Sequence, residues 1–155
     1  LNAYHKDSLT VEYKESIFVG YRWLDKHDIK PLFAFGHGLS YTTFEYGPAT
    51  IRKNGNRFKL SLDVTNTGSL EGKEIVQLYI GDDESTLVRP IKELKGFKKI
   101  AILPGQTQKV TFEITEDMLK YYDPEKSEWV LEKGAFTAYV GASSVDIKTT
   151  ANFEI

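Results

Sequence analysis

Three kinds of side chain in this sequence carry chemical potential: one histidine set between glycines, a few carboxylates in suggestive company, and a cluster of aromatic rings. His37 sits in Gly36-His37-Gly38. Glycine on both sides lets the backbone turn tightly and approach another surface closely. The imidazole therefore either stands at the rim of a pocket or anchors a junction by donating hydrogen bonds to backbone carbonyls. The anchoring role is favoured, because a short motif by itself has many chance matches. Glu15, in the run Y-K-E-S-I-F-V-G-Y-R, either orients a neighbour in a substrate site or forms an ion pair with Arg22 that fixes a strand end. The ion pair is the expectation.

Other chemistries find less support. With only His5, His27 and His37 and no cysteine, ligands for zinc lack a recognisable spacing. Asp82-Asp83-Glu84 offers oxygen ligands for calcium, but without the alternating Asp/Asn pattern or an internal glycine. A solvated acidic loop is expected there. Tyr121, Tyr122 and Trp129 make up the richest aromatic cluster. Exposed rings of this kind stack on the faces of sugars, whereas Trp129 followed by Val130 and Leu131 also reads as a strand with a buried anchor. The buried anchor is favoured. Phosphate-binding glycine loops, nucleophile elbows and basic-aromatic nucleic-acid surfaces are absent from the sequence.

The elements that must position these groups are strands. Phe58, Leu60, Leu62 and Val64 alternate with Lys59, Ser61 and Asp63; Val110, Phe112 and Ile114 alternate with Thr111 and Glu113. Phe136, Ala138 and Val140 repeat the pattern, as do Ala151, Phe153 and Ile155. Successive side chains of a strand point to opposite faces, so this period of two marks half-buried antiparallel strands. Turn residues separate the runs: Asn54-Gly55 for a tight hairpin, then Thr67-Gly68-Ser69, Pro104-Gly105 and Lys133-Gly134. The reading gives seven or eight strands, near residues 44–53, 56–66, 74–81, 91–100, 107–114, 128–132, 135–141 and 146–154, with a single helical turn capped by Thr115. This is an all-β sandwich of two sheets. Residues 16–21, apolar without alternation, read instead as a strand covered on both faces.

Several stretches, in order, resemble the junction and C-terminal domain of glycoside hydrolase family three. They are Y-K-E-S-I-F-V-G-Y-R-W-L-D at 13–25, P-L-F-A-F-G-H-G-L-S-Y-T-T-F-E-Y at 31–46, V-T-N-T-G at 64–68, V-Q-L-Y at 76–79, Arg89-Pro90, L-K-G-F at 94–97, L-P-G at 103–105 and V-G-A-S-S at 140–144. Ser16 and Ala34 depart from that pattern, standing where glycine and proline are expected. The resemblance implies an immunoglobulin/fibronectin type III-like β-sandwich over residues 36–155, preceded over 1–35 by the tail of an α/β sandwich domain, its terminal strand segment, and a linker. It also implies that the parent enzyme hydrolyses terminal β-linked sugars by a two-step retaining route, with two carboxylic residues about 5 Å apart. The nucleophile would be an Asp of a TIM-barrel domain and the acid/base commonly a Glu upstream of residue 13. No catalytic residue, cofactor site or metal site is expected within this chain, and the chain alone is expected to be inactive. Its partners would be the catalytic TIM-barrel and α/β domains, in the same or a cleaved chain, with homodimerisation left open and a glycoside as the substrate of the whole. The alternative is a stand-alone carbohydrate-binding or adhesive sandwich, against which the extra strand before Pro31 speaks.

Composition fits these expectations. The chain has 155 residues, 41% apolar and 27% charged, with a formal net charge of -2. That is long enough for a sizeable core, and the balanced charge leaves no footprint for nucleic acid or a polybasic membrane patch. No apolar run approaches the roughly 20 residues of a membrane helix. The start at Leu1 suggests a piece of a longer polypeptide whose compartment (secreted, periplasmic or cytoplasmic) stays open.

Overall fold

The computed structural model describes Val11 and residues 13–155; residues 1–10 and Glu12, part of the 1–35 segment, lie outside the described residues. A short helix, α1 (Tyr21–Lys26), precedes ten strands, with a second short helix among them. The strands are β1 (Phe44–Tyr46), β2 (Thr50–Asn54), β3 (Arg57–Asn66), β4 (Gly72–Asp82), β5 (Glu93–Ile102), β6 (Thr107–Thr115), β7 (Tyr121–Asp123), β8 (Glu128–Val130), β9 (Ala135–Gly141) and β10 (Ile147–Glu154), and helix α2 (Glu116–Leu119) joins β6 to β7. In one sheet, β3 is flanked by β1 and β2 on one edge and by β6 on the other. The other runs β10-β9-β4-β5, and every pairing is antiparallel.

The alternation read from the sequence places the inward faces. Leu60, Leu62 and Val64 of β3, Val76 and Leu78 of β4, Val110 and Phe112 of β6, Phe136 and Val140 of β9 and Phe153 of β10 are all buried in one core. Phe58, Ile80, Ile102, Ile114, Leu119 and Ala138 complete it. Phe153 lies between Phe58 and Phe136, with ring centroids 4.9 Å and 5.6 Å away. The Tyr46 hydroxyl reaches from the first sheet to the second and donates to Glu74 Oε1 at 2.7 Å. Burial, and then the Glu74 carboxylate, push that phenol far above its usual range, so it remains a donor.

Four expectations need correction. The single strand at 44–53 is two, because Pro48 has no N–H to give the ladder and the chain is held through Gly47 N–H to Asp63 O (2.8 Å) instead. Residues 128–132 contribute no sandwich strand: β8 pairs only with β7, in a two-stranded ribbon outside both sheets. Thr115 stands at the N-cap position of α2 with extended backbone, but its hydroxyl makes no capping bond. Residues 16–21 form no strand. Ser16 (φ 51°) and Gly20 (φ 64°) both turn the chain in the left-handed region, and Tyr21 opens α1. A strand needs a neighbour for its N–H and C=O groups, and none of the ten strands pairs with this stretch. Ser16 takes a conformation better suited to the glycine that the resemblance leads one to expect there.

A large-to-small change on an inward face costs about 2–5 kcal/mol. Leu62→Ala should therefore lower the melting temperature by several degrees, whereas Lys59→Ala, on the exposed face of the same strand, should barely move it. Equal shifts in a thermal melt would refute the assignment of faces.

Candidate functional site

Among the described residues, β4 is the one strand buried on both sides over most of its C-terminal half. Its inward residues feed the core. Its outward residues, Gln77 and Tyr79, are covered by the chain that leads into the sandwich. Gln77 Nε2 donates to Gly36 O at 3.1 Å and to Ala142 O at 2.7 Å, while Gln77 Oε1 accepts from Tyr79 Oη at 2.6 Å. Burial, followed by the nearby Tyr21 phenol and Asp25 carboxylate, pushes the Tyr79 phenol far above its usual range and keeps it protonated. Gly36 has φ 79°, and a Cβ there would run into the Gln77 amide. Phe35 O accepts from Ser144 N–H at 2.9 Å, and the Phe35 ring stacks on Tyr21 at 4.9 Å. Tyr21 in turn packs edge-on to Tyr79 at 5.8 Å, and its hydroxyl accepts from Leu94 N–H at 2.8 Å.

Ion pairs fasten α1 to the same sheet. Asp25 meets Lys92 at 2.6 Å, and Arg22 meets Glu93 at 3.2 Å. Glu93 also faces Lys95 (3.3 Å) and Arg89 (3.6 Å), and Arg89 forms a nearly buried pair with Asp82 at 2.7 Å. A second buried amide holds the far end of the junction. Asn66 accepts from Thr42 Oγ1 (2.7 Å) and from Gly68 N–H (3.0 Å), and donates to Leu70 O and Ile102 O (2.8 Å each).

Of the residues singled out from the sequence, Tyr121, Tyr122 and Trp129 share the β7–β8 ribbon, and the others take separate roles. Glu15 is not paired with Arg22, whose guanidinium goes to Glu93 because α1 docks on β5. The imidazole of exposed His37 gives no hydrogen bond to a carbonyl among the described residues. Its ring stands 6.0 Å from Phe33, and it is the His37 backbone N–H that donates, to Ala34 O at 3.0 Å. Asp82-Asp83-Glu84 is not a solvated acidic loop throughout. Asp82 ends β4 with its side chain 2% exposed in the Arg89 pair, and Asp83 accepts from Thr137 Oγ1 at 2.8 Å. Trp129 is no core anchor. It is 66% exposed on the ribbon, 5.8 Å from Tyr122 in an edge-to-face pair. Among the described residues, no three His, Asp or Glu side chains gather as a metal site would need, and no helix is long and apolar enough to cross a membrane.

Gln77, Tyr79 and Asn66 were the groups missed. All three lay inside motifs already noted, and the visible signal was a polar residue interrupting an apolar run in Val76-Gln77-Leu78-Tyr79. Leaving the Gln77 carbonyl without its donor costs about 1–3 kcal/mol. Tyr79→Phe should accordingly lower stability by that amount and speed hydrogen exchange at Leu94 and Ser144, the amides bonded to the junction. Gly36→Ala, facing both a positive φ and the Gln77 amide, should cost more than about 1 kcal/mol. Unchanged exchange at those two amides in both variants would show that the junction is not held in this way.

Comparison with known proteins agrees with this architecture. The family profile described as a fibronectin type III-like domain matches residues 74–144. The chain is 48% identical over 98% of its length to β-glucosidase BoGH3A of Bacteroides ovatus, and 47% identical over 88% to thermostable β-glucosidase B of Acetivibrio thermocellus. It superposes with a TM-score of 0.90 on the crystal structure of the Kluyveromyces marxianus β-glucosidase in complex with glucose, at 39% identity over 94% of this chain. The same TM-score is found with β-glucosidase 3B of Thermotoga neapolitana, at 37% identity over 99% of this chain. The chain spans about a fifth of the length of these relatives (21% and 19% of the two curated proteins, 18% and 22% of the two crystal structures). It belongs to the glycoside hydrolases of family three, in the part that carries their C-terminal fibronectin type III-like sandwich.

Proposed function

We propose that this chain is the structural C-terminal portion of a retaining β-glucosidase-like enzyme that hydrolyses terminal β-linked sugars, with both reacting carboxylates on the remainder of the polypeptide. In this reading residues 1–35 are the tail of an α/β sandwich domain and its linker, and residues 36–155 are the sandwich domain. The observation that carries it is the division of labour along the junction. The polar groups of its anchors are spent on one another, while its apolar side chains face outward. Leu32, Phe33, Leu39 and Tyr41 are 91%, 73%, 94% and 98% exposed. Large apolar side chains left exposed in one stretch of chain are suited to a contact face, and the catalytic domains of the same enzyme are its proposed occupant. Three carboxylates of the surrounding frame are held by cations: Asp25 by Lys92, Asp82 by Arg89, and Glu93 by three. A retaining hydrolase instead needs two carboxyl groups about 5 Å apart, one of them free to attack.

The chain alone should release no more product from an aryl β-glucoside than buffer does, and turnover that persists through repurification would sink this reading. Stability offers an independent check. Leu39→Ser in the isolated chain should change stability by no more than about 0.5 kcal/mol, as for other exposed positions. In the intact enzyme, where the reading buries Leu39 against a neighbouring domain, the same change should cost about 2 kcal/mol or more. His37→Ala in the intact enzyme should leave kcat within about tenfold, since a reacting acid or base would lose far more.

A further inference from the structure

A second surface, on the ribbon side of the molecule, carries features that the fold itself does not use. Between the β7–β8 ribbon and residues 87–95 lies a cleft of about 680 Å³, within the ~300–1,000 Å³ typical of small-ligand sites. One wall is aromatic: Tyr121, Tyr122 and Trp129, the last two 49% and 66% exposed. The floor is polar: Arg22, Arg89, Glu93 and Lys95. We propose that this cleft binds an oligosaccharide whose pyranose rings carry their substituents equatorially, as gluco- and xylo-configured rings do.

The chemistry follows from the two walls. A ring with equatorial substituents turns its axial C–H bonds to both faces and its hydroxyls to the rim. The C–H face is apolar and slightly positive, which suits the negative face of an indole or phenol. The rim hydroxyls both donate and accept, so a carboxylate and its cations at hydrogen-bond range of one another are matched to them. Glu93 holds Arg22 at 3.2 Å, Lys95 at 3.3 Å and Arg89 at 3.6 Å, which is such a set. Each cation of the cleft already faces a carboxylate, Arg89 that of Asp82 and Lys120 that of Asp117. The site therefore has little unneutralised charge to call for an anion, and a neutral polyol fits it better.

The wall is also built to stay in place. Asp123 Oδ1 accepts from Glu125 N–H (3.0 Å) and Lys126 N–H (3.3 Å) in the turn of the ribbon, and Lys126 Nζ lies 3.1 Å from Asp123 Oδ2. The Arg89 guanidinium lies 5.4 Å from the centre of the Tyr121 ring, tying the ribbon to the floor. Rings fixed in advance lose little freedom on binding. This inference goes beyond the proposed reaction and does not rest on it, because it concerns binding by the chain itself.

The test uses the 155-residue chain, titrated separately with cellotetraose, xylotetraose and a β-1,4-galactotetraose. Binding is read by calorimetry and by transfer of NMR saturation from aromatic protons to the sugar. Saturable binding of the gluco or xylo probe is expected, with transfer strongest at axial C–H protons. The galacto probe, whose axial C4–O bonds spoil one face of each ring, should bind more weakly. Trp129→Ala should weaken binding by about tenfold or more without shifting the thermal melt, and Tyr122→Ala should weaken it with the fold equally intact. No saturable binding, undiminished binding by both variants, or a preference for the galacto probe would overturn the proposal. So would self-association of the chain that Trp129→Ala abolishes, which would assign the aromatic wall to a second copy.

Discussion

The side-chain amide of Gln77 is the constraint on which the rest of the structure depends. It lies on the outward face of β4, buried, where an unmet donor or acceptor costs about 1–3 kcal/mol. Its three bonds to Gly36, Ala142 and Tyr79 fix three separate stretches of chain at one point. Asn66 does the same at the other end of the junction, for Thr42, Gly68, Leu70 and Ile102. Residues 36–42 are thus pinned at both ends by buried amides. Between the pins the chain bows outward, and Leu39 and Tyr41 stand almost fully exposed at its crest. A loose loop would hide such side chains against its own domain; this one is held so that it cannot.

The motifs that marked the family in the sequence turn out to be surfaces that fit one another. Val-Gln-Leu-Tyr at 76–79, Phe-Gly-His-Gly at 35–38 and Val-Gly-Ala-Ser-Ser at 140–144 meet at the Gln77 amide. Gly-Tyr-Arg at 20–22 meets Leu94 and Glu93 on β5. Thr43 and Thr67 bond side chain to side chain at 2.9 Å, joining the end of the junction to the turn after β3. Residue types that look chemically active, such as glycines beside a histidine or carboxylates beside cations, here serve close approach and charge pairing. Geometry, and not residue type, separates the two uses.

Strand faces were legible because period-two alternation is a direct consequence of backbone geometry, and Leu60, Leu62 and Val64 needed nothing else to be placed. What escaped depended on partners distant in sequence. The 128–132 stretch has the composition of a strand, yet β8 found only β7 beside it, and so Trp129 stayed in solvent. Residues 16–21 have the composition of a doubly covered strand, but no sheet edge among the described residues receives them. Arg22 chose Glu93 over Glu15 because the docking of α1 on β5 decides which carboxylate is within reach. Gln77 and Tyr79 look like outward-facing surface residues until the junction is laid over them.

One edge strand of the second sheet, β5, is treated differently from the junction. β5 presents Lys98 and Lys99 along its exposed stretch, and lysine on an edge discourages further strand pairing. The junction bow carries no such guard between residues 36 and 42, and Leu39 and Tyr41 are left open to a partner. Helix α1 and the cleft share one carboxylate. Arg22 of α1 and Arg89 beside the ribbon converge on the single carboxylate of Glu93, at 3.2 Å and 3.6 Å. A displacement of α1, which borders the junction, would loosen one of the three cations that Glu93 holds and so alter the polar floor of the cleft. Glu93 is therefore shared between α1 and the polar side of the cleft.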